Sequence, residues 1–189
     1  RLPTYLTPDG KWVPGIIKAI PSFEKKTAKL VDVDGGKGLT STWEILDNAK
    51  WGDGKPVTCN DFNFALKVGL NQNVSIGDRE TFENIKSITW DEKNPKKCEI
   101  LFKKAKFNFA QGGLFAPLPE HIEGPILAKY GEKKEGYDQN SEYNRNPTNP
   151  GLYTGPYLVS ELKLGSHVTM SPNPHFFGKQ PQIKKIIFK

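Results

Sequence analysis

The 189-residue sequence predicts a mixed α/β fold in which a largely antiparallel sheet carries flanking helices. Three observations predict it. Apolar residues alternate at period two around Leu39-Trp43-Ile45 and Cys98-Ile100-Phe102, which marks strands with one buried face. Short turn sequences separate the strand-like runs, so sequence neighbours pair antiparallel. One stretch, Asp61-Phe62-Asn63-Phe64-Ala65-Leu66-Lys67-Val68-Gly69-Leu70, carries helical periodicity instead.

Residues 1–24 read as a lead-in. Thr7-Pro8-Asp9-Gly10 is a turn sequence, because Pro presets φ and Gly accepts positive φ. Leu30, Val31 and Val33 then form a strand that turns at Asp32-Val33-Asp34-Gly35-Gly36. The alternating Leu39 to Ile45 run is its partner. Gly52-Asp53-Gly54 is a tight turn. Thr58, followed three residues later by Asp61, resembles a capping box at the start of the helix. Phe62, Ala65 and Leu66 line one stripe of that helix, and Phe64 and Val68 a second, so its circumference is largely covered. Gly69 or Asn71 ends it.

A short helix follows over 79–85 and a strand over 85–90. Asp91 to Lys96 form a charged turn, and Lys97 to Lys103 a clearer strand. Pro117 to Ile122 reads as the start of a helix that tolerates Pro119 in its first turn. Residues 130–149 are polar and nearly free of aliphatics, which predicts a long surface loop or mobile excursion. Strands over 157–162 and 167–170 meet at Leu164-Gly165, and a last strand covers 183–188.

Hydrophobic residues make up 36% of the chain and charged residues 25%, a globular rather than disordered balance. No apolar run reaches the roughly 20 residues of a membrane helix. The first residue is Arg and the only Met is Met170, so an upstream piece is expected to have been removed. The net charge of +6 comes from lysines in short groups beside acids, which reads as an evenly solvated surface; the alternative is an acidic partner. Lys103 to Phe115 interleaves lysines with aromatics. Stacking on single-stranded nucleic acid is one reading, and filling of a core by alternating aromatics is the other.

Catalytic and metal motifs are missing. His121, His167 and His175 are not at ligand spacing and read as surface or capping residues. There is no Gly-x-Ser-x-Gly elbow. Gly35-Gly36-Lys37-Gly38 lacks phosphate-loop spacing, and the acid pairs Asp32/Asp34 and Asp91/Glu92 fall in turns. These absences predict a protein that is not an enzyme and has no cofactor or bound metal. Cys59 and Cys98 fit no metal-finger spacing and read as two partly buried thiols; they can pair only in an oxidising compartment and with Cα atoms within about 7 Å.

Two stretches are more specific. Trp51-Gly52-Asp53-Gly54-Lys55-Pro56-Val57-Thr58-Cys59, with Asp61-Phe62-Asn63-Phe64 following, resembles the hallmark W-S-D-G-K-P-V-T-A-x-D-V/F-x-F of the family 5 extracellular solute-binding proteins. Gly52 stands for the usual Ser and Cys59 for the usual Ala. Asn149-Pro150-Gly151-Leu152-Tyr153-Thr154-Gly155-Pro156-Tyr157, then Asn173-Pro174-His175-Phe176-Phe177-Gly178 and Pro181 to Phe188, is similar to that family's N-P-x-G-T-G-P-Y, N-P-x-Y/F-x-G and P-x-I-x-x-I-x-F series. Here Tyr153 replaces the usual first Gly. Pro117-Leu118-Pro119-Glu120-His121 resembles its P-L-P-K-H run.

The resemblance implies the substrate-binding component of an ABC importer, which captures a peptide or similar small solute and delivers it to a membrane permease. It implies a periplasmic-binding-protein-like type II fold with two lobes. The chain is then a partial lobe one, with 1–27 and 150–189 as hinge-side sheet segments, 28–149 as an inserted subdomain, and the second lobe absent. Tyr153, Thr154, Gly155 and Tyr157 become candidate ligand-binding residues, although turn chemistry alone also explains them. A monomer, in the periplasm or lipid-anchored at a bacterial cell surface, is implied as well. An oxidising location leaves a Cys59–Cys98 disulfide open. Family members also carry nickel, haem, opines or oligosaccharides, and a basic nucleic-acid-binding module is the alternative from another class.

Overall fold

The computed structural model describes residues 2–111 and 114–189. The chain divides into two compact units. The first holds Arg1–Asp47, Thr58–Asn71 and Ile76–Leu118; the second holds Asn48–Val57, Gln72–Ser75 and Pro119–Lys189.

The first unit opens with a small antiparallel hairpin, β1 (Thr4–Leu6) and β2 (Trp12–Pro14), around the expected turn. Its main element is a four-stranded antiparallel sheet. Strands β3 (Ala28–Val33), β4 (Gly36–Glu44), β5 (Ile85–Thr89) and β6 (Lys97–Phe102) lie in the order β3-β4-β6-β5. The register pairs Leu39 with Phe102, Ser41 with Ile100 and Trp43 with Cys98, so these inward side chains form one buried layer. Ser41 is tolerated in that layer because its Oγ accepts from the Trp43 indole N–H at 2.7 Å. On the outer face, Thr42 donates to Glu99 Oε1 at 2.9 Å.

Helix α1 (Cys59–Leu70) packs against β5. Its start is fixed as expected: the Asp61 carboxylate accepts from the Thr58 backbone N–H at 2.8 Å. Phe62, Phe64, Ala65, Leu66 and Val68 are all buried, so both predicted stripes are covered. A one-turn helix, α2 (Glu80–Glu83), precedes β5.

The free-thiol reading is corrected here. Cys59 and Cys98 form a disulfide with Cα atoms 5.5 Å apart. The reason lies in the register. Cys98 points inward opposite Trp43, and the capped helix begins directly over it, with the Cys59 N–H donating to Pro95 O at 2.8 Å. The core reading of Lys103 to Phe115 holds for Phe109, Ala110 and Leu114, which are buried, but Phe107 is fully exposed.

In the second unit, α3 (Glu120–Tyr130) starts just after Pro119. The predicted loop over 130–149 is also corrected, because it contains α4 (Gly136–Asn140) and α5 (Glu142–Arg145). Side-chain bonds to backbone order it where aliphatic residues are lacking. Asn140 Nδ2 donates to Gly136 O at 2.8 Å, and Ser141 Oγ caps α5 by accepting from Tyr143 N. Tyr137 is buried among them. A 3-10 turn follows at Pro150–Leu152. Strands β7 (Tyr157–Lys163), β8 (His167–Pro172) and β9 (Ile186–Phe188) then form an antiparallel sheet in that order. Gly165 takes φ +71 in the β7–β8 turn. The last strand is shorter than predicted, since only Ile186 to Phe188 pair with β8 and Ile183 stays exposed.

Candidate functional site

The second unit gathers four stretches that are far apart in sequence: 51–54, 121–123, 149–157 and 173–175. Each is tied in by hydrogen bonds to backbone groups or to a neighbouring side chain.

Trp51 is buried, and its backbone N–H donates to Lys55 O at 2.8 Å. This closes the Trp51-Gly52-Asp53-Gly54 turn, in which Gly54 takes φ +88, a conformation costly for any residue with a Cβ. Gly52 is buried, and its N–H donates to Tyr153 O at 2.8 Å. A Cβ on Gly52 would strike Pro150 O and lie 2.6 Å from Leu158 Cδ2. The first glycine of the turn is thus required by the close approach of the 149–157 segment.

Asp53 is held on two sides. Its Oδ1 accepts from the Lys55 N–H at 3.1 Å, and its Oδ2 lies 2.8 Å from His121 Nε2. Partial burial pushes the Asp53 carboxyl up, but the Lys55 N–H and His121 outweigh it and leave it below its ordinary value. The His121 ring also meets Trp51 edge-on, with centroids 6.4 Å apart. The sequence marks Asp53 as a turn residue and His121 as a surface or capping residue; no local pattern links positions 68 residues apart.

The NPGLYTGPY segment is anchored at both ends. Asn149 Oδ1 accepts from Gly151 N at 3.0 Å and starts the 3-10 turn. Asn173, fully buried, donates from Nδ2 to Gly155 O at 2.9 Å, and its backbone N–H donates to Pro156 O at 2.9 Å. Its Oδ1 accepts from His175 N at 2.9 Å. Each atom of the Asn173 amide therefore has a backbone partner.

The four predicted site residues sit together on this segment. The Tyr153 hydroxyl donates to Pro147 O at 2.6 Å, and burial pushes its phenol pKa up. Its ring meets Tyr143 edge-on. Thr154 is buried. Gly155 faces open space, since an added Cβ would find only Tyr157 O at 3.9 Å. The Tyr157 hydroxyl donates to Ile183 O at 3.1 Å.

Beneath the segment, Glu123 is fully buried at the start of α3. Its Oε1 accepts from Glu142 N at 2.9 Å, while Glu142 Oε2 accepts from Asn149 Nδ2 at 3.2 Å. Burial pushes the Tyr137 phenol pKa far up, and the Glu123 carboxylate beside it adds to the shift. Composition hid this carboxylate, because a Glu in the first turn of a helix ordinarily faces solvent.

The arrangement offers rigid backbone polar groups and aromatic edges. Among the described residues, no group of three or more His, Cys, Asp or Glu is placed to hold a metal ion.

Residues 34–189 match the family described as bacterial extracellular solute-binding proteins, family 5 Middle. A probable ABC transporter-binding protein of Deinococcus radiodurans is 27% identical over 72% of this chain and 23% of its own length. The oligopeptide-binding protein AppA of Bacillus subtilis is 26% identical over 84% of this chain and 27% of its own. The structure of an oligopeptide-binding protein from Thermus thermophilus, complexed with a pentapeptide, superposes with a TM-score of 0.81 at 20% identity, over 98% of this chain and 34% of that one. The chain belongs to the family 5 extracellular solute-binding proteins, a family of transport binding proteins rather than enzymes. Its fold is the mixed, antiparallel α/β architecture of that group. It spans about a quarter of the length of the curated relatives it matches.

Proposed function

We propose that this chain is part of the substrate-binding component of an ABC importer, and that the whole protein captures peptides or a similar small solute. The match of residues 34–189 to a solute-binding family carries this reading. The oligopeptide-binding relative favours peptides over other solutes. In this reading the protein is a monomer, located in the periplasm or lipid-anchored at the cell surface. It closes two lobes over the solute by hinge motion and delivers it to a membrane permease. Residues 1–189 are part of lobe one, with 1–27 and 150–189 as hinge-side sheet segments and 28–149 as an inserted subdomain.

Tyr153, Thr154, Gly155 and Tyr157 form the ligand-facing turn. The open space at Gly155 supports this role, since an extended peptide binds largely through backbone hydrogen bonds and needs close approach to a rigid backbone.

Native mass spectrometry against a mixed peptide library tests the reading. The full-length protein is expected to retain peptides, and the 189-residue segment alone is expected to retain few. Retention by neither would redirect the search to non-peptide solutes. Gly155→Val is expected to weaken peptide retention by about tenfold with unchanged thermal stability, because the new side chain occupies free space rather than protein. Unchanged affinity would remove Gly155 from the site.

A further inference from the structure

Glu123 carries a carboxyl group into the interior of the second unit and leaves no surface to solvent. One of its oxygens is used: Oε1 accepts from the Glu142 N–H at 2.9 Å. The other, Oε2, has no hydrogen-bond partner among the described residues. An unmet buried carboxyl oxygen lowers stability, and an apolar side chain of the same reach would fill the space at smaller cost. The group therefore implies a role other than filling space.

What Oε1 grips supplies that role. Helix α5 has four residues, too few to hold a helical turn in water without support. Its first N–H groups are taken by two different side chains. Ser141 Oγ accepts from Tyr143 N at 3.2 Å, a local cap that travels with the helix. Glu123 accepts from Glu142 N across 19 residues of sequence, and so ties α5 to α3. The backbone of Glu123 is itself fixed, since its N–H donates to Pro119 O at 2.9 Å.

Two consecutive side chains of α5 then reach the 149–157 segment. Glu142 Oε2 accepts from Asn149 Nδ2 at 3.2 Å, and Oδ1 of the same Asn149 amide accepts from Gly151 N at 3.0 Å. The Tyr143 hydroxyl donates to Leu152 O at 2.9 Å, and its ring meets Tyr153 edge-on. On the α3 side the segment has no slack, because a Cβ on Gly151 would strike Ile122 Cδ1, next to Glu123 in the chain. A displaced α5 would carry Asn149, Leu152 and Tyr153 with it.

We propose that Glu123 is a positioning residue for solute binding. It fixes α5 on α3, and α5 in turn sets the place of the turn that presents Tyr153, Thr154 and Gly155. Glu123 is buried and meets no solute; it acts through the Glu142 N–H and the Asn149 amide. A binding turn must be held close to its productive geometry by side chains behind it, and a one-turn helix serves only if it is itself anchored. The effect on affinity rests on the ligand-facing role proposed for that turn, whereas the placement of the turn does not.

Substitutions in the full-length protein test the role by two readouts: amide hydrogen exchange without solute, and retention of the mixed peptide library. Glu123→Met keeps the reach but offers no acceptor. It is expected to speed exchange at Gly151 and to cut peptide retention, each about tenfold, while the Asn173 N–H exchanges as in the parent. Glu123→Gln returns an oxygen to the Glu142 N–H and is expected to restore both readouts. Asn140→Ala removes a bond within α4, and is expected to lower the melting temperature and leave both readouts unchanged. If Glu123→Met does not fold, Glu142→Ala carries the test. It spares the backbone bond to Glu123 and is expected to speed exchange at Gly151 but not at the Glu142 N–H. Parent-like exchange at Gly151, a Gln variant no better than Met, or equal loosening by Asn140→Ala would overturn the proposal. Faster exchange with undiminished peptide retention would overturn it as well. A parent protein that retains no peptide would overturn the ligand-facing reading instead, and exchange at Gly151 would still decide whether Glu123 places the turn.

Discussion

The four-stranded sheet of the first unit and the turn cluster of the second reach order by different means. The sheet is held by an apolar layer in which Leu39, Trp43, Ile100 and Phe102 face inward, with one disulfide fastening α1 to β6. The turn cluster relies on carboxylates and amides: Asn173 on Gly155 and His175, Glu123 on Glu142, Asp53 on Lys55 and His121. Apolar packing tolerates many substitutions of similar volume. A buried hydrogen-bond cluster does not, because each lost partner leaves another polar group stranded. The second unit therefore holds one backbone conformation closely.

The largest separation of the two mechanisms should come from the disulfide. It closes a loop of 39 residues, and chain-entropy reasoning gives about 4 kcal/mol of stabilisation for such a loop. Cys59→Ala/Cys98→Ala is expected to lower the stability of the sheet by about that amount in denaturant unfolding. Hydrogen exchange should show the loss in β4 and β6 before the amides of Gly52 and Asn173. Uniform loss across both units would mean that they unfold as one.

Asn173→Ala probes the other mechanism. It removes the side-chain partner of Gly155 O and of His175 N, both in part-buried bonds, and should cost about 2 kcal/mol. Asn173→Asp keeps the acceptor but places a buried carboxylate oxygen against Gly155 O, so a loss at least as large is expected at pH 7. If both variants cost under about 1 kcal/mol by urea unfolding, water replaces the amide and the cluster is softer than its geometry implies.

Two glycines in the same cluster provide a sharper contrast. Gly52→Ala would force a Cβ against Pro150 O and Leu158, at an expected cost of about 2 kcal/mol for the required backbone shift. Gly155→Ala meets open space and should be neutral within about 0.5 kcal/mol. Thermal unfolding of the pair decides whether NPGLYTGPY is rigid because it is packed or because of its own turn chemistry.

The same division explains what could be read from sequence. The sheet and α1 were legible because burial there follows periods of 2 and 3.6, and Trp43, Phe62 and Ile100 announce themselves. Helices α4 and α5 were not, because Asn140 and Ser141 stabilise them through local side-chain bonds that look like loop composition. The disulfide needed the β4–β6 register, which no single strand contains. In the candidate site, the turn residues were legible as motifs, but the Asp53–His121 pair and buried Glu123 depend on contacts between distant segments. Gly52 stands where the family usually has Ser, but the reason it must be small, the Pro150 carbonyl above it, is purely tertiary.

The smallest expected effect concerns Asp53, and its sign follows from linkage. The carboxyl lies below its ordinary value of 3.8 in the folded protein, so the folded state binds this proton less well than the unfolded state. The stabilisation is therefore present above the unfolded value and disappears as pH falls through the folded one. Asp53→Asn should cost under about 1 kcal/mol at pH 7, since the pair is partly exposed to solvent and screened. The difference from the parent protein should shrink below about pH 4 and vanish near pH 2. A difference that persists at that acid extreme would show that the Lys55 and His121 contacts act through geometry alone, and the turn cluster would then owe its order to amides rather than to charge.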